Sequence, residues 1–195
     1  MAKLIQHLGY VKFPFKKILG VMNLKSTVCD EGSDVERINF YRNRDKKQLK
    51  FSKKVKALYG DKADFTYFYR YKNTPKIKEL IPASFWRKYK ISKDHCDIRL
   101  IRYKPGTASI PHIDRYAELM KKGQEYYKGF HEHKIKRLWI TLTEPKMGHA
   151  LFVEDEVAYN LKKGTVLTFP SDVVHAGCNV GHEDRFILTV TGYYG

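Results

Sequence analysis

The second half of the chain alternates apolar and polar residues with the two-residue period of β-strands. In the stretch 95–104, Ile98 and Leu100 alternate with Arg99 and Arg102 before a Pro-Gly turn. Further strand-like stretches lie at 137–144, 149–155, 184–194 and, as two strands joined by a tight turn, 157–170. Several short strands separated by turns at regular spacing predict a sandwich or a barrel.

The first half of the chain mixes helix and strand signals. Residues 45–60 carry apolar residues at helical spacing and end in glycine, which predicts a helix. Residues 64–73 are rich in aromatic side chains and close on a turn, which predicts a strand. Residues 75–90 begin with one proline and contain another, so they predict one or two short helices. Residues 115–136 are polar and long for a loop, and such loops often act as lids or binding segments.

Positive charge is concentrated in the first half of the 195 residues. The net charge is +16, of which residues 1–98 contribute +13 (23 Lys and Arg against 10 Asp and Glu) and residues 99–195 contribute +3 (14 against 11). Such a field attracts anionic partners such as nucleic acid, phosphate-rich surfaces or acidic proteins. A lysine-rich surface that serves only solubility gives the same count, so the charge does not choose a partner.

Composition narrows the class of protein. The length suits one domain with a substantial extension. Cys29, Cys96 and Cys178 form no CxxC pair, which favours a reduced, intracellular, cytoplasmic protein. No apolar run reaches the ~18 residues of a membrane helix. Lysines interrupt the N-terminal stretch, which also offers no small-residue cleavage site, so we expect neither a membrane span nor a signal peptide.

The stretch IPHIDRY, residues 110–116, places His112 and Asp114 one residue apart. On a strand, residues i and i+2 point to the same face, so both side chains can reach one metal ion. A second histidine, His175, follows Asp114 after 60 intervening residues and ends a strand-like run. A rolled sheet can bring that later strand beside the earlier one. Two histidines and one carboxylate are the ligand set of non-haem Fe(II) oxygenases, which leave positions open for a co-substrate and O2.

Arg185 adds a candidate for co-substrate binding. It lies ten residues beyond His175 and starts the last predicted strand, which we expect to lie next to the strand that ends at His175. A guanidinium at this place can bind a carboxylate through two parallel hydrogen bonds. A redox-active iron beside an arginine that awaits a dicarboxylate points to 2-oxoglutarate.

The order of these residues resembles that of the 2-oxoglutarate/Fe(II)-dependent dioxygenases. The run IRYKPGTASIPHID is similar to the segment before the HxD motif in prolyl 4-hydroxylase-like enzymes. Similarity to the aspartyl/asparaginyl β-hydroxylase-like branch lies in KRLWITLTEP, LKKGTVLTFPSDVVHAGCN and EDRFILTVTG. The resemblance implies a mainly β fold. We expect a double-stranded β-helix, or jelly-roll, core over 96–195, with a basic, mixed α/β extension over 1–95 packed on it as one structural unit.

The same resemblance implies an activity and its ligands. His112, Asp114 and His175 would hold Fe(II), and Arg185 would pair with the distal carboxylate of 2-oxoglutarate. An enzyme of this kind uses O2 to hydroxylate its substrate and releases succinate and CO2. The tasks of the protein are ligation, orientation and exclusion of water. We therefore expect a hydroxylase, with a protein or peptide side chain as the first choice of substrate.

Two further co-substrate contacts are implied by the resemblance. Arg137 matches an arginine that contacts the co-substrate in the β-hydroxylase-like branch, although a paired strand residue would look the same. Tyr103 matches a tyrosine near the co-substrate in the prolyl branch. Trp139 stands where the β-hydroxylase-like branch tends to carry a histidine, and the segment after Asp114 is longer than expected. These departures leave the branch, and with it the substrate, open.

Alternative functions stay open. One is an oxygenase that acts on nucleic acid, a free amino acid or another small molecule. Base demethylases of the superfamily usually carry a second arginine six residues after the first, where this chain has Thr191. The other is a non-catalytic, basic jelly-roll binding module. Such a module has no need for the full set of four residues, His112, Asp114, His175 and Arg185.

Several other residues have simpler explanations. His131 and His133 form an HxH pair without a third ligand at fixed spacing, which favours a surface pair over a zinc site. Cys178 is interpreted as a packing residue, and Asn179 as the residue that orients the loop after His175. The stretch 67–71, YFYRY, can stack bases, but one face of an ordinary sheet has the same pattern.

Overall fold

The computed structural model describes most of the chain, as residues 3–23, 29–32, 68–72, 75–109, 111–114, 116–126 and 131–194. The helix predicted over 45–60 lies outside these ranges. The strand predicted over 64–73 is present as Phe68–Lys72.

Strands dominate the described ranges. They are β1 (Gln6–Tyr10), β2 (Cys29–Gly32), β3 (Phe68–Lys72), β4 (Ile91–Tyr103), β5 (Thr107–Ala108), β6 (Ile135–Thr141), β7 (His149–Val153), β8 (Glu156–Tyr159), β9 (Thr165–Thr168), β10 (His175–Asn179) and β11 (Arg185–Tyr194). The helices are α1 (Phe15–Gly20), α2 (Pro75–Leu80), α3 (Ala83–Tyr89) and α4 (Ala117–Tyr126), with 3-10 turns at Val21–Asn23 and Glu132–Lys134.

Two antiparallel sheets face each other. The large sheet has seven strands in the order β1-β9-β6-β11-β4-β3-β2, and the small sheet has four in the order β5-β10-β7-β8. Ile101, Trp139 and Ile187 of the large sheet pack against Leu151 and Val153 of the small sheet, which forms the core of the sandwich. This arrangement confirms the predicted mainly β, jelly-roll fold. The inner faces of the two sheets enclose the space in which a site can lie.

The outer face of the large sheet is covered by helices. Alternation along the central strands turns side chains such as Leu100, Leu138 and Leu188 away from the sandwich. They pack against the apolar faces of the helices, including Phe85 and Trp86 of α3. The central strands are therefore buried on both faces, which explains why β11 is apolar along most of its length.

The extension before the core also supplies strands. β1 pairs with β9, and β3 pairs with β4, so segments from the first half of the chain extend the large sheet on both sides. The stretch 75–90 forms two short helices, α2 and α3, as predicted. Pro75 is the first residue of α2, a position where the missing N–H costs nothing.

Three expectations need correction. β8 and β9, predicted as a tightly joined pair, lie in different sheets, because β8 pairs with β7 and β9 pairs with β6 and β1. His175 begins β10 rather than ending a strand. The last strand, β11, lies between β4 and β6 and therefore faces β10 across the sandwich instead of lying beside it.

The segment predicted as a long loop after Asp114 contains α4. Leu119 and Met120 pack against Ile135 and Tyr193 of the large sheet. The Tyr193 hydroxyl donates a hydrogen bond to the Leu119 carbonyl oxygen at 2.7 Å. α4 therefore covers one end of the inner face of the large sheet. Gly123 inside the helix weakens the helical signal in the sequence, which explains the missed prediction.

Across the part of the chain that the structure describes, no helix combines the length and apolar character that crossing a membrane requires.

Candidate metal centre

His112 and His175 are held together by their backbones. His112 N–H donates to the His175 carbonyl oxygen at 3.0 Å, and His175 N–H donates to the His112 carbonyl oxygen at 2.9 Å. This isolated antiparallel bridge places the two imidazole rings side by side, with centroids 4.4 Å apart. Asp114 is two residues beyond His112, so its side chain returns to the same side. The predicted HxD and distal histidine are thus brought together.

The donor atoms of the three side chains form a compact group. Their ligand atoms all lie within 4.8 Å of one another. His175 Nε2 is 3.0 Å from Asp114 Oδ2, and His112 Nε2 is 3.8 Å from Asp114 Oδ1. Two imidazoles and one carboxylate facing one point match the set that binds non-haem Fe(II) and leaves positions open.

His175 is oriented by its surroundings. It is 2% exposed, and its ring packs against Phe169 at a centroid distance of 4.8 Å. Nδ1 lies 3.2 Å from the Val173 carbonyl oxygen, which can only accept, so Nδ1 carries the proton and donates. This tautomer leaves the lone pair of Nε2 directed at Asp114, as a metal-ligating histidine requires. The side chain of His112 is the most exposed of the three, at 18%.

Arg137 contacts the candidate acidic ligand directly. Its Nη1 forms an ion pair with Asp114 Oδ2, and both side chains are largely buried. Arg137 lies on β6, opposite Thr191 of β11. The resemblance assigned Arg137 to co-substrate binding, and the structure places its guanidinium against the carboxylate of Asp114.

Arg185 is a fully buried cation. It begins β11 opposite Tyr103 of β4 and is 1% exposed. Its Nη1 crosses the sandwich and donates to the carbonyl oxygens of Ala150 and, at 2.8 Å, Cys178. Its guanidinium lies over the ring of Tyr103, at 5.7 Å from the centroid. No carboxylate of the described ranges forms an ion pair with it.

Arg185 is a buried cation that forms no ion pair with a described residue. Burial lowers its pKa from the ordinary value, because desolvation disfavours the charged form. Its Nε is also buried and has no hydrogen-bond partner within the described residues. A guanidinium stays protonated in proteins, so the buried charge calls for an anion. Among the described residues, the partners of the Arg185 guanidinium are thus two carbonyl oxygens and two aromatic rings.

Tyr103 lines the same interior space, and Gly177 leaves room for it. A Cβ placed on Gly177 would lie 2.7 Å from the Tyr103 hydroxyl oxygen and 2.9 Å from Trp139 Cη2. Trp139 also lies against Arg185, with 5.6 Å between the guanidinium carbon and the ring centroid. Sequence reasoning missed Gly177. A glycine inside the strand-like run HAGCN was the available signal, because such a glycine often marks a close approach.

Polar side chains fix the strands around this space. Ser109 Oγ accepts a hydrogen bond from Gly177 N–H at 2.8 Å, which ties the segment after β5 to β10. Asn179 is fully buried and donates through Nδ2 to the carbonyl oxygens of Tyr103 at 2.9 Å and Glu183 at 2.8 Å. Its Oδ1 accepts from Gly181 N–H. Asn179 therefore orients the loop after β10, as predicted, and also ties the small sheet to the large one.

The remaining sequence candidates lie elsewhere. His131 and His133 are exposed, with their rings stacked at 5.6 Å, and belong to no metal-ligand group of the described residues. Cys178 is buried in β10, which fits the packing role.

The comparisons with known proteins return distant likenesses. No family model matches the chain, and no curated protein matches it. The solved structures with some likeness include a cupin 2 conserved barrel domain protein from Rhodopseudomonas palustris (11% identity, TM-score 0.39, covering 66% of this chain and 62% of that one). A predicted oxalate decarboxylase from Thermotoga maritima is 12% identical, with a TM-score of 0.39, covering 65% of this chain and 81% of that one. The Cnp3 cupin domain of Schizosaccharomyces pombe is 8% identical, with a TM-score of 0.40, covering 65% of this chain and 64% of that one. Two of these three proteins are thus covered over less than two thirds of their own length. All three TM-scores lie below 0.5, so these likenesses assign no function to the chain.

Proposed function

We propose that this chain is an Fe(II)- and 2-oxoglutarate-dependent dioxygenase that hydroxylates a side chain of a protein or peptide. One observation carries the proposal: a group of two histidines and one aspartate shares the interior of the sandwich with a buried arginine. The three donor atoms lie within 4.8 Å of one another, and Arg185 makes no ion pair within the described ranges. A metal alone would explain the first feature, and an anionic ligand would supply the second with the counter-charge that the described residues do not provide.

The donor set fits Fe(II). His112 and His175 would bind through Nε2, and Asp114 through one carboxylate oxygen. The hydrogen bond from His175 Nδ1 to the Val173 carbonyl oxygen supports the required tautomer. Zinc also accepts such ligands, but a closed structural zinc site uses four. Three ligands with an open side favour a catalytic ion with exchangeable positions.

The position of Arg185 fits a short dicarboxylate. Its Nη1 bonds to the carbonyl oxygen of Cys178, which lies three residues beyond His175 on β10. Three residues of a strand extend ~10 Å. A keto acid that binds the metal with one end and the guanidinium with the other suits such a separation. Tyr103 and Trp139 would flank its chain and keep water out.

The chemistry divides between the ligands and the protein. When bound, Fe(II) supplies O2 activation coupled to oxidative decarboxylation of 2-oxoglutarate, which yields succinate, CO2 and a hydroxylated substrate carbon. Arg185 would hold and orient the distal carboxylate. The interior packing of Phe169, Trp139 and Tyr103 would exclude water, which strengthens these electrostatic contacts. Arg137 holds the carboxylate of Asp114 in place.

The substrate class rests on the resemblance to the β-hydroxylase-like branch. The segments that carry the resemblance contribute β6, β9, β10 and β11 of the sandwich. Thr191, in place of a second arginine, argues against base demethylation. We expect the substrate side chain to enter beside His112, the most exposed of the three candidate ligands.

The test is an anaerobic titration of the metal-free protein with Fe(II) and then with 2-oxoglutarate. We expect a weak metal-to-ligand band in the visible range once the keto acid chelates the bound iron. His175→Ala should lose both iron binding and the band. Arg185→Gln should bind iron but need far more 2-oxoglutarate to form the band.

The matched control is Arg102→Gln. Arg102 lies on the neighbouring strand and pairs with Asp184 near the surface, at 2.6 Å. It should behave like the wild type in both titrations. Iron binding without a band would leave a metal protein of another class. Failure to bind iron would favour the non-catalytic binding module.

A further inference from the structure

The helices on the outer face of the large sheet form a strongly basic layer. We define the helical layer as residues 11–23 and 75–90, which include α1, α2 and α3. These segments carry eight Lys and Arg side chains and one carboxylate, that of Glu79, for a net charge of +7. The layer thus holds much of the excess charge of the whole chain in a small part of its surface.

Most basic side chains of the helical layer are exposed, and none of the eight forms an ion pair with a described residue. Seven of the eight are exposed, and Lys78 is half-buried. Within the described ranges, none of them lies within ion-pair distance of a carboxylate. In contrast, Lys146 and Lys163, outside the layer, pair with Glu183 and Glu144 at 2.7 and 2.8 Å. The described ranges therefore hold both paired and unpaired lysines, and all eight cations of the layer belong to the unpaired group.

Packing joins the two segments of the layer into one surface. The ring centroids of Phe13 and Phe85 are 5.3 Å apart. Ile18 and Ile77 are buried in the same hydrophobic cluster. The Lys88 ammonium lies close to Gly9 of β1, at 3.6 Å from the place of a Cβ there. The apolar faces of the helices are thus fixed on the sheet, and their charged faces point away from it together.

We infer that the helical layer binds the phosphodiester backbone of a nucleic acid. Closely spaced like charges repel one another, and a polyanion removes that repulsion and gains entropy by releasing its counterions. A phosphodiester backbone carries negative charges at regular short intervals, so several lysines of the layer can each contact a different phosphate.

The lack of exposed large hydrophobic side chains in the layer favours a nucleic acid over a membrane or an acidic protein. Amphipathic helices that lie on a bilayer bury exposed Trp, Phe or Leu side chains in it. A protein partner commonly docks on buried aromatic or apolar anchors. The exposed large hydrophobic residues of the described ranges all lie outside the layer, at Tyr10, Met147, Phe152, Val157, Tyr159, Val180 and Tyr194. A surface of cations without apolar anchors fits a solvated phosphate backbone.

The position of the layer separates this binding from the chemistry. The layer lies on the outer face of the large sheet, whereas His112, Asp114 and His175 lie toward the inner side. A nucleic acid on the layer therefore does not enter the site. It would hold the protein beside a substrate, and its binding needs neither metal nor keto acid.

The test is fluorescence anisotropy of the full chain with a labelled DNA duplex of about 20 base pairs, roughly two helical turns. EDTA is present throughout, so the result is independent of the metal site. We expect the association constant to fall steeply with salt. The variant Lys16→Gln/Lys17→Gln/Lys88→Gln should reduce the log–log salt slope by roughly 2 to 3, since each lost phosphate contact contributes about 0.9.

The matched control removes three exposed lysines outside the layer, as Lys121→Gln/Lys134→Gln/Lys146→Gln. It should keep the wild-type slope. Equal losses in the two triple variants would overturn the inference, because the binding would then follow net charge alone. Absence of binding at low salt would overturn it too. So would binding to phosphatidylserine vesicles that the layer variant abolishes while duplex binding stays intact.

Discussion

Arg137 of β6 reaches across the inner face of the large sheet and pairs with Asp114, the acidic member of the candidate metal group. The side chain of Arg137 is 10% exposed and that of Asp114 is 7% exposed. A buried carboxylate is costly without a cation. The ion pair therefore holds the Asp114 side chain in place beside His175 before any metal arrives.

Arg137→Leu should destabilise the metal-free protein by about 3 kcal/mol, because it leaves a buried carboxylate without its cation. A divalent ion should restore part of this loss, since it supplies positive charge to the same carboxylate. The measurement is the unfolding temperature with and without Co(II) as an air-stable substitute for Fe(II). The metal-induced increase should be larger in the variant than in the wild type.

The facing residue provides the control. Thr191 lies opposite Arg137 on β11, where side chains on one face have Cβ atoms ~5 Å apart. The double variant Arg137→Thr/Thr191→Arg returns a guanidinium to within reach of Asp114. It should regain part of the lost stability. If Arg137→Leu unfolds at the wild-type temperature without metal, the ion pair has no stabilising role.

Arg185→Met should weaken 2-oxoglutarate binding roughly 10- to 100-fold, the loss expected for a hydrogen-bonded charged contact. The measurement is the rise in unfolding temperature that 2-oxoglutarate gives to the Co(II)-loaded protein. Arg102→Met removes an arginine that is partly exposed and surface-paired, so it should keep the full rise. Equal responses of the two variants would remove Arg185 from the co-substrate site.

Gly177→Ala should destabilise the protein by roughly 1–3 kcal/mol, because the added methyl group meets Tyr103 and Trp139 at less than 3.0 Å. It should also weaken 2-oxoglutarate binding more than it weakens metal binding, since both rings line the space that we propose for the keto acid. Gly20→Ala is the control, because a Cβ there has no neighbour within 4 Å. Denaturant unfolding and the two ligand titrations measure these effects. Equal behaviour of the two alanine variants would mean that the interior is loosely packed.

His149 should make the stability depend on pH. Burial lowers the pKa of His149 below its ordinary 6.5 in the folded state, and the positive charge of Arg185 adds to this effect. The unfolded chain then binds the proton more readily, so stability is full above pH 6.5 and falls as the pH drops below it. His149→Gln should lose less stability than the wild type on acidification.

Urea unfolding of both proteins at about pH 7.5 and about pH 5.5, in EDTA, measures this difference. The exposed histidine of β1, His7, supplies the control variant His7→Gln, which should lose as much stability as the wild type. An identical acid loss in His149→Gln and the wild type would assign the pH dependence to other groups.

The local pattern of the sequence determined most strands and a β-sandwich or barrel class. The resemblance to a known family specified the jelly roll, and the candidate ligands came from residue types and spacing. The strands β4 and β11 could be predicted from their alternating residues, because side chains on one face of a strand all pack in the same kind of environment. HxD was readable because its two residues share one face at any strand end. The charge count also placed most of the positive charge in residues 1–98, because a net charge can be counted without knowledge of the fold.

Tertiary structure decided which elements meet. The sequence placed β11 beside the strand of His175, but the two face each other across the sandwich, and only that crossing lets Arg185 donate to backbone oxygens of β7 and β10. The sequence also did not show that Arg137 pairs with Asp114, or that Gly177 makes room for Tyr103 and Trp139. These contacts join residues that are far apart in the chain, and local periodicity carries no information on such pairs. They depend on strand order and register, which the packing of the whole chain selects.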